Sequence, residues 1–163
     1  MKKIFATDNN SSWFILRVLL GVVMLAHGLQ KAFGWFNGFG WDNTIGYFNS
    51  VGLPTFLGAI IILLESLGAL FLILGFGGRV FAALLGIVMI GAFFIDHLPN
   101  GFFMNWGGQG SRGEGFEFDI LFWAIAIVLT INGSGKYSID RYIYRRLNTE
   151  GKQKEVLRTT LAA

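Results

Sequence analysis

The sequence predicts an all-α integral membrane protein, a bundle of four transmembrane helices with both termini cytoplasmic. Three observations predict it. Hydrophobic residues make up 53% of the chain and charged residues only 14%, against about 25% charged in ordinary globular domains. Four apolar segments, about 12–34, 55–76, 79–98 and 117–134, approach or exceed the roughly 18–20 residues that cross a ~30 Å hydrocarbon layer. Basic residues gather at alternate segment ends, the pattern that keeps those ends on the cytoplasmic side.

The elements follow in order. Residues 1–11 form a cytoplasmic N-terminal segment carrying Lys2 and Lys3. The apolar run behind them resembles a signal peptide, but Arg17 lies inside it and no small-x-small cleavage site follows, so it is expected to stay as the first helix. Pro54 and Pro99 fall between apolar runs and punctuate them, and the 23 glycines suit membrane helices, which tolerate Gly more readily than soluble ones. Arg79 ends the tight Gly75–Arg79 connection and reads as a topology anchor, while the 36–54 loop has no Lys or Arg and the 99–116 loop only Arg112. Both loops therefore face outward, with Trp35, Trp41 and Trp106 suited to the outer interface. Residues 135–163 form a basic cytoplasmic tail. In it Ser138 is placed to cap a helix whose apolar stripe is Ile139, Tyr142, Ile143 and Leu147, an interfacial helix expected to give way to a disordered end after about residue 149.

Composition also excludes chemistry. With no cysteine, disulfide exchange, a thiolate nucleophile and thiolate-bound zinc or iron–sulfur clusters are ruled out; redox work needs a bound cofactor or a partner. The formal charge is +3, but Lys136, Arg141, Arg145, Arg146, Lys152, Lys154 and Arg158 supply most of the basic residues beyond the apolar runs. That distribution suits an anionic membrane surface and not nucleic acid.

The polar residues inside the apolar segments have informative depths. A charged group there costs about 2.5–3.5 kcal/mol on insertion scales, so those present usually face other helices or a watery cavity. At 100° per residue, Arg17, Met24, Gly28 and Lys31 lie within about 60° of one another on the first helix, with His27 at the edge of the strip. A 1.5 Å rise puts His27 roughly 22 Å above the start of that helix, and Lys31 near the outer boundary. Glu65 falls near the bilayer centre of the second helix, where a carboxyl is either neutral or paired. On the third, His97 stands five turns after Arg79, beside Asp96, and Glu117 and Asp119 open the fourth from the outer side. The expectation is a polar site opening outward, with His27 and His97 as companions of Glu65, and with Lys31 and Asp119 snorkelling to water.

Sharper chemistries find less support. Two histidines on different helices could ligate a b-type haem, but no further pattern accompanies them. A metal held by His27, His97 and Glu117 has no checkable ligand spacing, and no metal is expected. "GGQGSRGEG" lacks the GK[ST] ending of a phosphate loop, and no nucleophile elbow is present.

The stretch Arg17 to Lys31, "NSVGLP" before the second helix, Glu65 followed by "LGALFLILG", Arg79, "VMIGAFFIDHLPNGFF", "GEGFEF" and "GSGKYSID" occur in this order. The chain so resembles the DoxX family of small membrane proteins over about residues 13–140. Asp119 departs from that pattern, which expects a histidine or a neutral residue there. The resemblance implies a multi-pass protein of the bacterial inner membrane that serves as an oxidoreductase or its subunit. It puts His27, Lys31, Glu65, Arg79, His97 and Glu117 on family-pattern positions. We assign Glu65, His27 and His97 as the catalytic group and Lys31, Glu117 and Arg79 as substrate contacts. The function expected is a redox subunit working with quinone and a partner protein. In it a histidine donates a hydrogen bond to a quinone carbonyl and Glu65 relays the proton. The rivals are a small-molecule or proton transporter, or a solute-binding protein, using Glu65, for which a homodimer would relieve the shortage of helices, and a scaffold whose basic tail recruits a cytoplasmic enzyme.

Overall fold

A computed structural model describes residues 5–108, 110 and 113–161. Lys2, Lys3 and Arg112, used above to orient the chain, lie outside the described residues. All secondary structure among the described residues is helical. Helix α1 runs Ser11–Phe33; Asn10 caps it by accepting the Ser12 N–H at 2.8 Å, and Gly34, in the left-handed region, ends it. A short helix α2, Gly40–Ser50, follows. Then α3 (Thr55–Leu63), a π-helical segment Leu64–Gly68 and α4 (Ala69–Leu74) form one rod. The chain turns through Gly75 and Gly77, both at positive φ, into α5 (Gly78–Ala92). A second π-helical segment, Phe93–His97, and a 3-10 turn Leu98–Asn100 prolong α5. Helices α6 (Glu117–Asn132) and α7 (Ile139–Leu161) complete the chain.

Among the described residues three helices are long and apolar enough to cross a membrane: Ser11–Phe33, Thr55–Leu74 and Gly78–Asn100. Helix α6, at 16 residues, spans about 24 Å, short of the ~30 Å hydrocarbon layer. The core is a thin seam of Leu20, Met24, Ala69, Leu72, Leu85 and Phe122. Large apolar side chains such as Leu19, Leu67, Ile87, Phe94, Leu121 and Ile131 point outward and stay exposed. An apolar exterior around a narrow core is what lipid as the surrounding solvent requires.

Two expectations are corrected. The first loop is not irregular: its glycines at 34 and 40 take positive φ and admit α2, whose Thr44 and Phe48 turn inward. The tail does not lose order near residue 149, because α7 continues to Leu161; Ser138 does cap it, accepting the Arg141 N–H at 3.2 Å.

Close approach of α1 to the second rod depends on glycine. A Cβ on Gly28 would collide with the Glu65 carbonyl and the Ser66 amide, and one on Gly21 with Ile73. Small residues thus let two backbones touch, as in membrane helix pairs generally. Trp123 ties α6 to α5 by donating to the Gly86 carbonyl at 3.2 Å, and Phe93 stacks against it at 5.3 Å.

The end from which α7 leaves, the tail end, is held by two buried charges. Arg17, fully buried, donates to the carbonyls of Ser134 (2.8 Å), Leu72 (3.1 Å), Tyr137 (2.7 Å) and Ile73. It so completes the last turn of α4, where the Gly75 N–H also reaches the Leu72 carbonyl at 3.0 Å. Asp140, 1% exposed, accepts the N–H groups of Gly77 (2.7 Å) and Gly78 (2.9 Å) at the start of α5, and the Ser134 hydroxyl at 2.5 Å; a carboxylate suits that helix end. Replacing Arg17 by Met leaves several buried carbonyls without donors and is expected to cost roughly 3 kcal/mol. Arg17→Lys, lacking the planar fork, should recover only part of it. Apparent melting temperatures in detergent check the order wild type, Lys, Met.

Candidate functional site

The site is built where Gly28 presses α1 onto the second rod. The contact falls on the π-helical segment, whose wider turn aims Glu65 inward, so that it is 3% exposed between exposed Leu63 and Leu67. Segments of this kind occur often at functional sites. One turn beyond Gly28, Lys31 reaches the Glu65 carboxylate Oε2 and forms an ion pair. Ser66 bonds back to the Ile62 carbonyl at 2.6 Å, which leaves the carboxylate to its ammonium partner.

The second π-helical segment performs the same service for Asp96. There the Tyr47 hydroxyl of α2 donates to Asp96 Oδ1. Between the two pairs lies a cavity of about 740 Å³, walled by α2, α3 and α5. Phe48, Leu57, Ile61, Leu84 and Val88 give it apolar sides, and Lys31, Glu65, Tyr47 and Asp96 supply its polar points. Thr44 also lines it. Its Oγ1 is buried and, among the described residues, has no hydrogen-bond partner. Buried hydroxyls are nearly always paired, so this one is open to a partner from within the cavity.

The remaining polar groups flank this cavity. His97 Nδ1 meets both oxygens of Asp119 at 3.0 and 2.8 Å, with the Asp119 side chain 1% exposed. Asp119 is therefore buried and paired, and not an interfacial anchor. Glu117 accepts the Trp106 indole N–H at 3.0 Å. Asn100 donates to the Asp96 carbonyl at 2.6 Å and holds the 113–114 strip through Gly113 N–H and the Glu114 carbonyl.

Of the residues assigned from the sequence, Lys31 and Glu65 thus share the cavity, and His97 and Glu117 sit at the adjoining loop end. His27 is exposed on α1 outside the cavity lining; the partner of Glu65 is Lys31, not His27. Lys31 is correspondingly not a free snorkelling cation. Arg79 lies at the tail end, its guanidinium bound to the carbonyls of Ala6 (2.9 Å), Thr130 (2.9 Å) and Ile131, which is a cap on the end of α6. Among the described residues no group of three His, Asp or Glu converges as a metal site. Thr44 and Tyr47 escape the sequence reading because the 36–54 stretch reads as a loop between crossings, and Asp96 because it figures there only as the neighbour of His97.

A family model described as DoxX matches residues 12–98. The chain is 30% identical over 131 residues to a Bacillus subtilis (strain 168) protein named "Putative oxidoreductase CatD", with 80% of this chain and 86% of that protein covered. No solved structure matches.

The Tyr47 hydroxyl, bound to Asp96, is pushed up to about 12 from the ordinary value of 10, first by that hydrogen bond and then by desolvation. The native state thus favours the neutral phenol. Its contribution is complete below pH 10 and is lost as pH rises towards 12. Asp96→Asn is expected to bring the Tyr47 ionisation back toward the ordinary tyrosine range, read as the difference between alkaline ultraviolet titrations of wild type, Asp96→Asn and Tyr47→Phe.

Proposed function

The chain belongs to the DoxX family, and on that premise we propose that it is a subunit of a bacterial inner-membrane oxidoreductase, binding a quinone in the cavity between α2, α3 and α5. The observation that carries this reading is the Thr44 hydroxyl, buried without a partner among the described residues, in a mostly apolar cavity with a few polar points. A flat apolar ring with carbonyl oxygens fits both features: the ring takes the Phe48, Leu57 and Val88 walls, and a carbonyl accepts the Thr44 hydrogen. The name of the Bacillus subtilis relative points the same way.

Reduction of a quinone to a quinol adds two electrons and two protons. The electrons come from a partner redox protein, while Lys31 with Glu65 and Tyr47 with Asp96 are the groups beside the ring that hold protons. Lys31 keeps the Glu65 carboxylate paired at a depth where an isolated charge would be costly. His97 with Asp119, at the loop end, is the group through which protons reach the cavity from water. His27 and Glu117 retain a place in this reading only as neighbours of those pairs.

We further propose four crossings, with α6 as the fourth, both termini cytoplasmic, and α2 and the 101–116 connection outside. The basic residues of α7 support that orientation, and a short crossing is accommodated by local thinning of the bilayer. Because the chain has no native cysteine, single cysteines test it directly. Asn43→Cys is expected to react with a membrane-impermeant maleimide in intact cells, and Thr149→Cys only after lysis; the reverse pattern overturns the orientation.

Quinone content of the purified protein, binding of an added quinone, and quinol formation with membrane fractions as electron source test the function. Thr44→Val is expected to weaken quinone binding roughly fivefold, the scale of one neutral hydrogen bond. Glu65→Gln should bind quinone but form little quinol, with Lys31→Met/Glu65→Gln controlling for an orphaned ammonium. Protein free of quinone, unable to bind it, and variants indistinguishable from wild type would sink the reading.

A further inference from the structure

We propose that the tail end carries a binding site for the headgroup of an anionic phospholipid drawn from the adjoining leaflet. A second cavity, of about 630 Å³, opens there. Asn9, just before α1, and Leu74, the last residue of α4, lie on its bundle side, and the chain from Lys136 into the first turns of α7 closes the other. It sits at the level where the helices Ser11–Phe33 and Thr55–Leu74 meet the tail. That is the level of lipid phosphates, directly beyond the hydrocarbon layer.

The lining has the two halves of a phospholipid binding site. Among the described residues Lys136, Arg141 and Arg145 are its charged lining, and no carboxylate lines it. Asp140, the acid nearest in sequence, is turned away and spent on the Gly77 and Gly78 amides and the Ser134 hydroxyl. Among the described residues the three cations have no ion-pair partner. Guanidinium groups suit phosphate oxygens, which they can meet in pairs. The apolar half is Leu74, Ile139 and Tyr142, all exposed, with Tyr137 70% exposed under the Lys136 ammonium at 4.8 Å. Tyrosines at this level are typical of the membrane interface. A free anion would leave those apolar groups bare. A choline headgroup would bring a fixed cation among three others. An acidic headgroup with its acyl chains beside Leu74 satisfies both halves.

This site is separate from the quinone cavity and stands or falls without it. The full chain, purified in a neutral detergent, is titrated with phosphatidylglycerol, phosphatidylcholine or inorganic phosphate, with lipid retention read by native mass spectrometry and stabilisation by apparent melting temperature. Phosphatidylglycerol is expected to be retained and to stabilise, and phosphatidylcholine is not. The triple variant Lys136→Gln/Arg141→Gln/Arg145→Gln should lose about tenfold or more in phosphatidylglycerol affinity. Lys152→Gln/Lys154→Gln/Arg158→Gln removes as much charge from a patch that begins about 10 Å past Arg145 along the helix axis, at the edge of the ~8–10 Å screening length, and should change the affinity less than about threefold. Equal losses in the two triples would mean general surface charge. Indifference between the two lipids, or equal stabilisation by inorganic phosphate, would likewise overturn the proposal.

Discussion

The buried guanidinium of Arg17 is the constraint on which the tail end rests. It reaches from α1 to the last carbonyls of α4 and to the chain that joins α6 to α7. The apolar seam beside it gives little orientation by itself, because hydrocarbon side chains meet lipid as readily as one another. Directional hydrogen bonds must therefore set which helix ends meet. Asp140 completes the arrangement with the opposite sign, capping α5 as Arg17 caps α4. The two charges are separated by Ser134 and the 75–78 turn, and each is satisfied by main chain before it is satisfied by the other.

At the loop end the same problem has another solution. Glu65 and Asp96 stand in helical segments with one residue too many per turn, and each is answered by a side chain from a different element, Lys31 from α1 and Tyr47 from α2. At the tail end the two buried charges, Arg17 and Asp140, are committed to backbone groups and the Ser134 hydroxyl, while other residues line the cavity that opens there. The loop end leaves a cavity and, among the described residues, a buried hydroxyl without a partner.

Much of this was legible in the sequence. Apolar length marked the chain as one of long membrane helices, and Ser138 announced its cap. Depth alone placed Lys31, Glu65, Asp96, His97 and Asp119 toward one end. The choice of partners was not legible, for two physical reasons. A wheel at 100° per residue fails inside a π-helical segment, so the facing of Glu65 and His97 could not be projected. Pairs such as Arg17 with Ser134, 117 residues apart, or His97 with Asp119 depend on which helices are neighbours, and spacing within one helix carries no trace of that. Arg79 shows the converse error: a cation at a family-pattern position was read as a ligand contact, yet its geometry serves the carbonyls at the end of α6.

The missing side chain at Gly28 has a mechanical corollary. With α1 already in backbone contact with the Glu65 turn, that jaw of the cavity can neither close further nor yield without disturbing the Lys31 pair. The opposing jaw is α2, eleven residues joined to the bundle through glycines at positive φ on either side, Gly40 and Gly52. Any tolerance for guests of different girth therefore has to come from α2, where the hold is side-chain packing of Phe48 and the Tyr47–Asp96 hydrogen bond and not backbone contact.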